Sequence, residues 1–568
     1  MLILTMLLMI LSCEDFLDTK PFGSISLSTL STEDGVESLL ISAYSVLDGY
    51  IEGESEGRFK SAASNWVFGS ITGGDAYKGS HSKDAVEITE IETEETLPSN
   101  SYLEAKWRIY YEGINRANTA IRAFYSLAIP LTSKHMERIA EARFLRGFYH
   151  YELYKIFHNI PFIHDTLVDV RVGNQKNILP EIQKDFAFAA EHLPPIQEDE
   201  PGRITQGAAK SYLGITWMWV KEWSKAKVLF DEVINSGQYK LNLKYHDNFN
   251  PEIRNTLASP SLDSESILSV QQSVNEGANG GNGNFGDIAN YPSGDFPLAS
   301  YGFHQPSQNL VNSFKTDSNG LPLLDNYNDP GTDVTNDEGL SSTDPSFTPY
   351  PGYLDPRLDW TVGRRGIPFI DWGEHPGARW IRDQKYGGPY SPMKNIISQS
   401  QVGTYSQLGW GNLNSNNLKL LRYADLLLYA AEAEVELGNL NTALEYVNLV
   451  RERAANPEGF VMNGAVKAAN YNIKPYLDFP SQEYARKAVR FERRIELGME
   501  GHRFFDLVRW GIAAKEKNDY FAVESKKRNH LVGAKFTENK NEYMPIPQRA
   551  IDLSSLNGIE TLEQNPGY

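Results

Sequence analysis

The sequence is short of cysteine, of basic charge and of long hydrophobic runs, and each shortage excludes a class of protein. With one cysteine, Cys13, in 568 residues, the chain cannot form an internal disulfide. Asp and Glu outnumber Lys and Arg by 73 to 54, and the net charge of −19 argues against nucleic acid as a partner, because phosphate binding needs a basic surface. The apolar run Met1–Leu11 is shorter than the ~20 residues that span a bilayer. The composition, 41% hydrophobic and 22% charged, is that of an ordinary folded chain.

Recognisable catalytic motifs are also missing. The chain contains no Walker sequence, HExxH, paired CxxC or GxSxG. Residues 281–286 match GxGxxG in their letters, but no helical pattern follows to place a helix N-terminus on a pyrophosphate, so we predict a flexible loop. The Asp and Asn residues of the loops fit no calcium-ligand spacing. We therefore predict no catalytic residue and no cofactor, and the sequence leaves a metal undecided.

The single cysteine directly follows the apolar N-terminal run. Met1–Leu11 suits the hydrophobic region of a secretory signal peptide. Ile10-Leu11-Ser12-Cys13 resembles a bacterial lipobox, in which a small residue precedes a cysteine that is lipidated and becomes the mature N-terminus. We therefore predict a signal peptide over residues 1–12 and a lipid anchor on Cys13.

Much of the remaining chain has the periodicity of amphipathic helix. Apolar residues recur every three or four positions over 421–435 and 443–454, with a Gly438-Asn439 break between them. Residues 217–237 form a similar pattern of two helices. Ala226 and Ala443 lie early in the second helix of each pair, where close packing needs a small side chain. A helical hairpin with a small residue at this position is typical of a tetratricopeptide repeat. The alternative is two ordinary amphipathic hairpins.

The region from residue 259 to residue 416 has a different composition. It is rich in Gly, Pro, Asn, Asp, Tyr and Trp and shows little helical periodicity. Its aromatic content argues against disorder, and long loops in a folded domain usually carry function. We therefore expect a mostly α-helical fold in which helical hairpins form a scaffold and a large loop-rich insertion carries the ligand site. The predicted boundaries are an N-terminal helical part (13–258), the insertion (259–416) and a C-terminal helical part (417–568), all within one domain.

Several long motifs of the chain resemble the SusD/RagB family. Residues 421–433 are LRYADLLLYAAEA, residues 447–454 are VNLVRERA, and residues 492–511 are ERRIELGMEGHRFFDLVRWG. Further landmarks are Asp355-Pro356-Arg357-Leu358, MPIP at 544–547, the C-terminal QNPGY and the start Ser12–Asp18. Because these motifs follow one another in the family's order, the resemblance covers essentially the whole chain.

The resemblance implies a mostly helical, non-enzymatic lipoprotein at the outer-membrane surface. Such proteins cover a SusC-like TonB-dependent barrel and deliver captured ligand to it. Most members bind oligosaccharides, whereas the RagB branch handles peptides. The charged residues of the motifs are expected to be structural, forming buried or half-buried ion pairs between helices. These residues are Arg422, Asp425, Glu432, Arg493, Glu496, Arg503 and Asp506.

Two segments are candidates for the ligand site, because the family's ligand contacts come from the loop after the early helices and from the insertion. A glycan site needs flat aromatic faces together with polar side chains for the hydroxyl groups. Trp372, in the most loop-like context, ranks highest. The predicted ligand-binding residues are Asn65, Trp66, Asp75, Tyr77, Tyr291, Tyr301, Trp372 and Trp380.

A basic cluster within the insertion leaves the charge of the ligand open. Arg364, Arg365, Arg379, Arg382 and Lys385 suit an acidic or sulfated glycan, since guanidinium groups match carboxylates and sulfates. The alternative is that these cations pair with nearby carboxylates, which are Asp359, Asp371, Glu374 and Asp383. Competing functions are peptide capture, a surface glycosidase and a scaffold for protein partners. We expect glycan capture, because the insertion is rich in aromatic residues.

Overall fold

The computed structural model describes residue 30 and residues 32–51, 59–197, 200–254 and 263–568. The predicted signal peptide and Cys13 lie outside these residues. Within them the chain is mostly α-helical, as predicted. In chain order the helices are α1 (Glu33–Tyr44), α2 (Val86–Glu92), α3 (Ser101–Tyr125), α4 (Ser133–Phe157), α5 (Leu179–His192), α6 (Gln206–Trp219), α7 (Trp223–Asn235), α8 (Pro251–Arg254), α9 (Gln308–Ser313), α10 (Leu358–Thr361), α11 (Gln384–Gly387), α12 (Tyr423–Glu436), α13 (Leu440–Ala454), α14 (Gln482–Leu497), α15 (Arg503–Trp510), α16 (Ala513–Glu524) and α17 (Gln548–Leu553).

The strands are short and pair two by two. They are β1 (Ala76–Gly79), β2 (Ser266–Val270), β3 (Phe303–Pro306), β4 (Val362–Gly363), β5 (Ser391–Pro392), β6 (Ser406–Gln407), β7 (Trp410–Asn414), β8 (Leu418–Arg422), β9 (Met462–Asn463) and β10 (Val466–Lys467). The antiparallel pairs are β1 with β3, β2 with β8, β4 with β5, β6 with β7 and β9 with β10. Residues 281–286 form turns and do not open an α-helix, as predicted.

The two predicted helical hairpins are α6–α7 and α12–α13. Ala226 and Ala443 are fully buried, and a side chain at Gly214 would meet the ring of Phe230, so close packing explains the small residues. Gly438 ends the first helix of the second pair with a φ of +83°, in the left-handed region that glycine adopts readily. Helix α12 packs against α7, which joins the two hairpins, and also against α14. Their arrangement as tetratricopeptide repeats stays a prediction.

One hydrophobic core joins all three predicted parts of the chain. Its buried members include Leu145 from the N-terminal helices, Leu310 from the insertion and Leu428 from the C-terminal helices. This continuity favours one domain, although the predicted boundaries remain a prediction. No helix within the described ranges is long and apolar enough to cross a membrane.

A buried network of ion pairs supports the C-terminal motifs, as predicted. Arg422 pairs with Glu265 at 2.9 Å and with Glu500 at 2.9 Å, and it also contacts Glu496. Arg493 pairs with Asp425 at 2.7 Å and with Asp506 at 3.0 Å. Glu432 accepts from Arg509, and Arg503 pairs with Glu516 at 3.3 Å. The charged residues of the family motifs therefore hold helices together.

Candidate functional site

The structure brings the two predicted site segments together in one small sheet. Strand β1 belongs to the early segment and β3 to the insertion, and they pair with Tyr77 opposite Gln305 and Gly79 opposite Phe303. The backbone N–H of Ser80 then donates to the carbonyl oxygen of Gly302 at 2.6 Å. This pairing places the loop after β1 beside the residues that precede β3.

Tyr301 is the exposed aromatic residue at this junction. Its side chain is 53% exposed, and its ring stacks on Phe303 with 6.0 Å between the ring centroids. The next residue, Gly302, donates its backbone N–H to the carbonyl oxygen of Tyr291 at 3.1 Å. The backbone of the loop is thus held in place, and about half of the Tyr301 side chain remains exposed to solvent.

Arg382 lies beside this ring and connects it to further polar side chains. The guanidinium carbon of Arg382 lies 5.5 Å from the ring centroid of Tyr301, and Arg382 pairs with Asp84 at 3.3 Å. Asp84 also lies 3.5 Å from His81 and accepts from the Ser80 hydroxyl at 2.6 Å. We call Tyr301, His81, Asp84 and Arg382 the Tyr301 surface.

Lys78 fixes the backbone of the loop that carries His81 and Asp84. Its buried ammonium group donates to the carbonyl oxygens of His81 at 3.2 Å and Asp84 at 2.6 Å. Burial lowers the pKa of Lys78 to about 8, against the effect of neighbouring carboxylates that raise it. A flat apolar face beside a carboxylate, a guanidinium and an imidazole can stack on a sugar ring and hydrogen-bond its hydroxyl groups.

Six of the eight predicted ligand residues do not lie on an exposed surface. Trp372 is half-buried, and only Tyr301 among the eight is largely exposed. Burial leaves these six side chains without direct access for a ligand, and their ligand-binding role stays a prediction. The six buried residues are Asn65, Trp66, Asp75, Tyr77, Tyr291 and Trp380.

The early segment uses its polar groups within the fold. Trp66 donates its indole N–H to the carbonyl oxygen of Gly286 at 3.1 Å. Asn65 donates to Glu152 at 2.9 Å, and Asp75 pairs with Arg494 at 3.1 Å. The hydroxyl of Tyr77 contacts the carboxylate of Glu524 and accepts from the backbone N–H of Gln308 at 3.1 Å. These residues join the early segment to the insertion and to the C-terminal helices.

The aromatic residues of the insertion build a small core of their own. Phe296 lies 4.9 Å from Trp380 and 5.0 Å from Trp372 between ring centroids. The indole N–H of Trp372 donates to the carbonyl oxygen of Ile397 at 2.8 Å, and the Tyr291 hydroxyl accepts from Asn414 at 2.9 Å. A long segment with few helices needs such a cluster to become ordered, which explains the aromatic content without a ligand.

The basic cluster is largely neutralised. Arg364 is buried and pairs with Asp359, in agreement with the alternative that these cations pair with nearby carboxylates. Arg379 pairs with Asp295 and Arg382 with Asp84, which are carboxylates that the sequence did not indicate. Arg365 donates to backbone carbonyl oxygens of residues 341–344. Lys385 is exposed and has no carboxylate partner among the described residues, so the cluster leaves one exposed lysine and no extended basic patch for a charged glycan.

Sequence reasoning missed His81 and Asp84, the two loop residues beside Tyr301. They follow the early segment by three to six positions, in the polar stretch Ser80-His81-Ser82-Lys83-Asp84. Their only signal was this position, because polar loop residues are common. Within the described part of the chain, no group of three or more His, Cys, Asp or Glu side chains is arranged to hold a metal ion.

A helical scaffold that presents a loop-borne aromatic ring with hydrogen-bonding side chains is the architecture of a carbohydrate-binding protein. Residues 264–568 match the family described as "SusD family", and residues 15–216 match one described as "Starch-binding associating with outer membrane". The first match covers more than half of the chain, so the protein belongs to the SusD family. SusD-like proteins bind carbohydrate and are not catalysts, which confirms the expectation of a non-enzymatic protein.

Individual relatives agree with this assignment. SusD-like protein P25 of Formosa agariphila is 25% identical over 522 residues, which are 88% of this chain and 87% of the relative. Among solved structures, a "Laminarin binding SusD-like protein" superposes with a TM-score of 0.65 at 23% identity, covering 94% of this chain and all of the other. Surface glycan-binding protein A from Bacteroides thetaiotaomicron, in complex with laminarihexaose, gives 0.64 at 20% identity, covering 94% and 99% of the two chains. These structures share the fold.

Proposed function

We propose that this protein is a cell-surface lipoprotein that captures oligo- or polysaccharide and delivers it to a SusC-like TonB-dependent transporter in the outer membrane. The observation that carries the glycan site is the Tyr301 surface, where an exposed ring lies on an ordered loop beside polar side chains. Trp372 remains a second candidate contact, because it is half-buried rather than enclosed.

The Tyr301 surface favours a neutral glycan over a charged one. Its guanidinium group and its carboxylate pair with each other, so Arg382 and Asp84 contribute no net charge. The remaining arginines of the insertion are occupied by carboxylates or by carbonyl oxygens. Two structural neighbours are named for laminarin or bound to laminarihexaose, and laminarin is a neutral glucan. Neutral glucans are therefore the first ligands to test.

The anchor and the transporter rest on the sequence and on the family. Cys13 in its lipobox-like context supports lipidation, and the matched description "associating with outer membrane" supports the location. Several acyl chains on one cysteine would hold the protein far more firmly than a single chain. We propose that the single domain over residues 13–568 lies at the cell surface above its transporter.

The test is a binding screen of the chain without its first 13 residues against polysaccharides by affinity electrophoresis. The panel contains laminarin and other neutral glucans, mannan, xylan, alginate and pectin, and a casein digest is tested by calorimetry. We expect retardation by a neutral glycan, with no release of shorter sugars after long incubation. Binding of charged glycans alone would contradict the neutral site. Binding of casein peptides alone would show the peptide-capturing function of the RagB branch instead.

A further inference from the structure

A second cavity lies between the C-terminal helices and the segment that follows α9, and it shares no residue with the Tyr301 surface. Its volume is about 590 Å³, and its walls come from α14, α15, α16 and the segment 324–329. Small-molecule sites typically occupy about 300–1,000 Å³. Aromatic wall residues are Tyr327, Phe491, Trp510 and Tyr520.

Five cations line this cavity, and four of them are paired with carboxylates. Lys487 lies 2.9 Å from Asp325, and Lys515 lies 2.7 Å from Asp519. Arg494 pairs with Asp75 at 3.1 Å, and Arg503 pairs with Glu516 at 3.3 Å. Among the residues that the structure describes, the fifth cation, Arg490, has no ion pair and no hydrogen bond.

Arg490 is half-buried and held by an aromatic ring. Its guanidinium carbon lies 4.8 Å from the ring centroid of Trp510, at cation–π distance. The two carboxylates whose charge acts on Arg490 have other partners, since Glu432 binds Arg509 and the Trp510 indole, and Glu436 binds Arg486. Burial lowers the pKa of Arg490, and repulsion by Arg486 and Arg509 lowers it further. Attraction by Glu432 and Glu436 raises it, but not enough to restore the ordinary value. The charged guanidinium is thus stabilised by its surroundings less than an exposed one.

We propose that this cavity binds a small molecule that carries a carboxylate or sulfate group, and that Arg490 is the residue that recognises this group. A guanidinium presents parallel N–H donors that match two oxygens of a planar or tetrahedral anion. Stacking on Trp510 fixes the plane of the donors before the ligand arrives, which limits the entropy lost on binding. The cavity volume suits a sugar acid or a sugar sulfate. This proposal does not depend on glycan capture at the Tyr301 surface.

Isothermal titration of the chain without its first 13 residues tests the proposal. The probes are sodium galacturonate, glucose 6-sulfate, inorganic sulfate and uncharged methyl glucoside, all at one ionic strength set with sodium chloride. We expect saturable binding of at least one anionic probe, and an excess of methyl glucoside should not displace it. Saturation by both sugar anions but not by sulfate would identify a sugar-acid site, whereas sulfate binding of equal strength would identify a site for the anion alone.

Variants decide whether Arg490 is responsible. Arg490→Met removes the charge but keeps an apolar chain on Trp510, and it should weaken binding at least tenfold. Lys526→Met removes an exposed cation outside the cavity and should leave the affinity within twofold of the wild type, as should Tyr301→Ala. Arg490→Lys serves as a second variant that keeps the charge, and it should lose at least threefold because an ammonium group lacks the fork. Absence of saturable binding, or unchanged affinity in both Arg490 variants, would overturn the proposal.

Discussion

At the residue scale, the environment of each aromatic side chain decides whether it can bind a ligand. Trp66 and Tyr301 both lie in segments predicted to carry the site, yet Trp66 is fully buried and Tyr301 is 53% exposed. The resemblance to the family made both segments candidates for the site, but aromatic residues in loops serve equally as core. Exposure depends on contacts such as Trp66 with Phe303, which are 237 positions apart and leave no local pattern.

Trp66→Ala should therefore be a stability variant. Removing a buried tryptophan leaves a cavity and an unpaired carbonyl group at Gly286, and we expect a loss of ~3–5 kcal/mol in the free energy of unfolding. Urea unfolding followed by circular dichroism measures this loss. Tyr125→Ala, at a tyrosine on α3 that is 54% exposed, is the control and should change the stability by less than ~0.5 kcal/mol. A Trp66 variant as stable as this control would contradict the burial of the Trp66 side chain.

At the scale of elements, the positions of several helices could be predicted from the sequence, whereas the strand pairing that fixes the insertion could not. The 3.6-residue periodicity located α7, α12 and α13 to within a few residues, because each helix buries one face within a local stretch of chain. The strands β1 and β3 have four residues each and pair across more than 220 positions. Neither strand has enough length for an alternating pattern to be recognised, so the junction that holds Tyr301 could only be seen in the structure.

A close backbone contact fixes the early segment to the C-terminal motif. Gly69 belongs to a short π-helical turn, and a Cβ atom added there would lie 1.8 Å from the carbonyl oxygen of Gly501. Gly69→Ala must therefore push these two backbones apart, and we expect a loss of more than ~3 kcal/mol or failure to fold. Gly459→Ala is the control, because its Cβ would have 3.6 Å to the nearest atom. The midpoint temperatures of thermal unfolding compare the two variants. Equal midpoints would contradict the close contact between Gly69 and Gly501.

At the scale of the whole molecule, the buried ion pairs make stability depend on pH. Burial alone raises the pKa of Glu500, but Arg422 and Lys394 outweigh it and lower this pKa from 4.5 to about 2. Arg453, Arg422 and Arg357 likewise lower the pKa of Glu496 against the effect of its burial. With a folded pKa below the unfolded value, each group stabilises the fold above about pH 4.5 and loses this contribution as the pH falls toward 2.

We therefore expect unfolding free energy to decline steeply between pH 4.5 and pH 3, measured by urea titration at each pH. Glu500→Gln should cost ~3–5 kcal/mol at pH 7, because it leaves Arg422 and Lys394 with less compensation, and its decline in acid should be shallower. Glu458→Gln, at an exposed carboxylate, should match the wild type at every pH. A Glu500 variant with the stability of the wild type at pH 7 would contradict the network.

The central claim is that the Tyr301 surface binds glycan, and one comparison tests it most directly. The affinity of the wild-type chain for the glycan found in the screen is measured by calorimetry beside Tyr301→Ala and Tyr125→Ala, which remove equally exposed rings. We predict that Tyr301→Ala weakens binding at least tenfold, about 1.4 kcal/mol, while Tyr125→Ala has no effect and both variants keep the stability of the wild type. Unchanged affinity in folded Tyr301→Ala would contradict the account and place the glycan site elsewhere on the molecule.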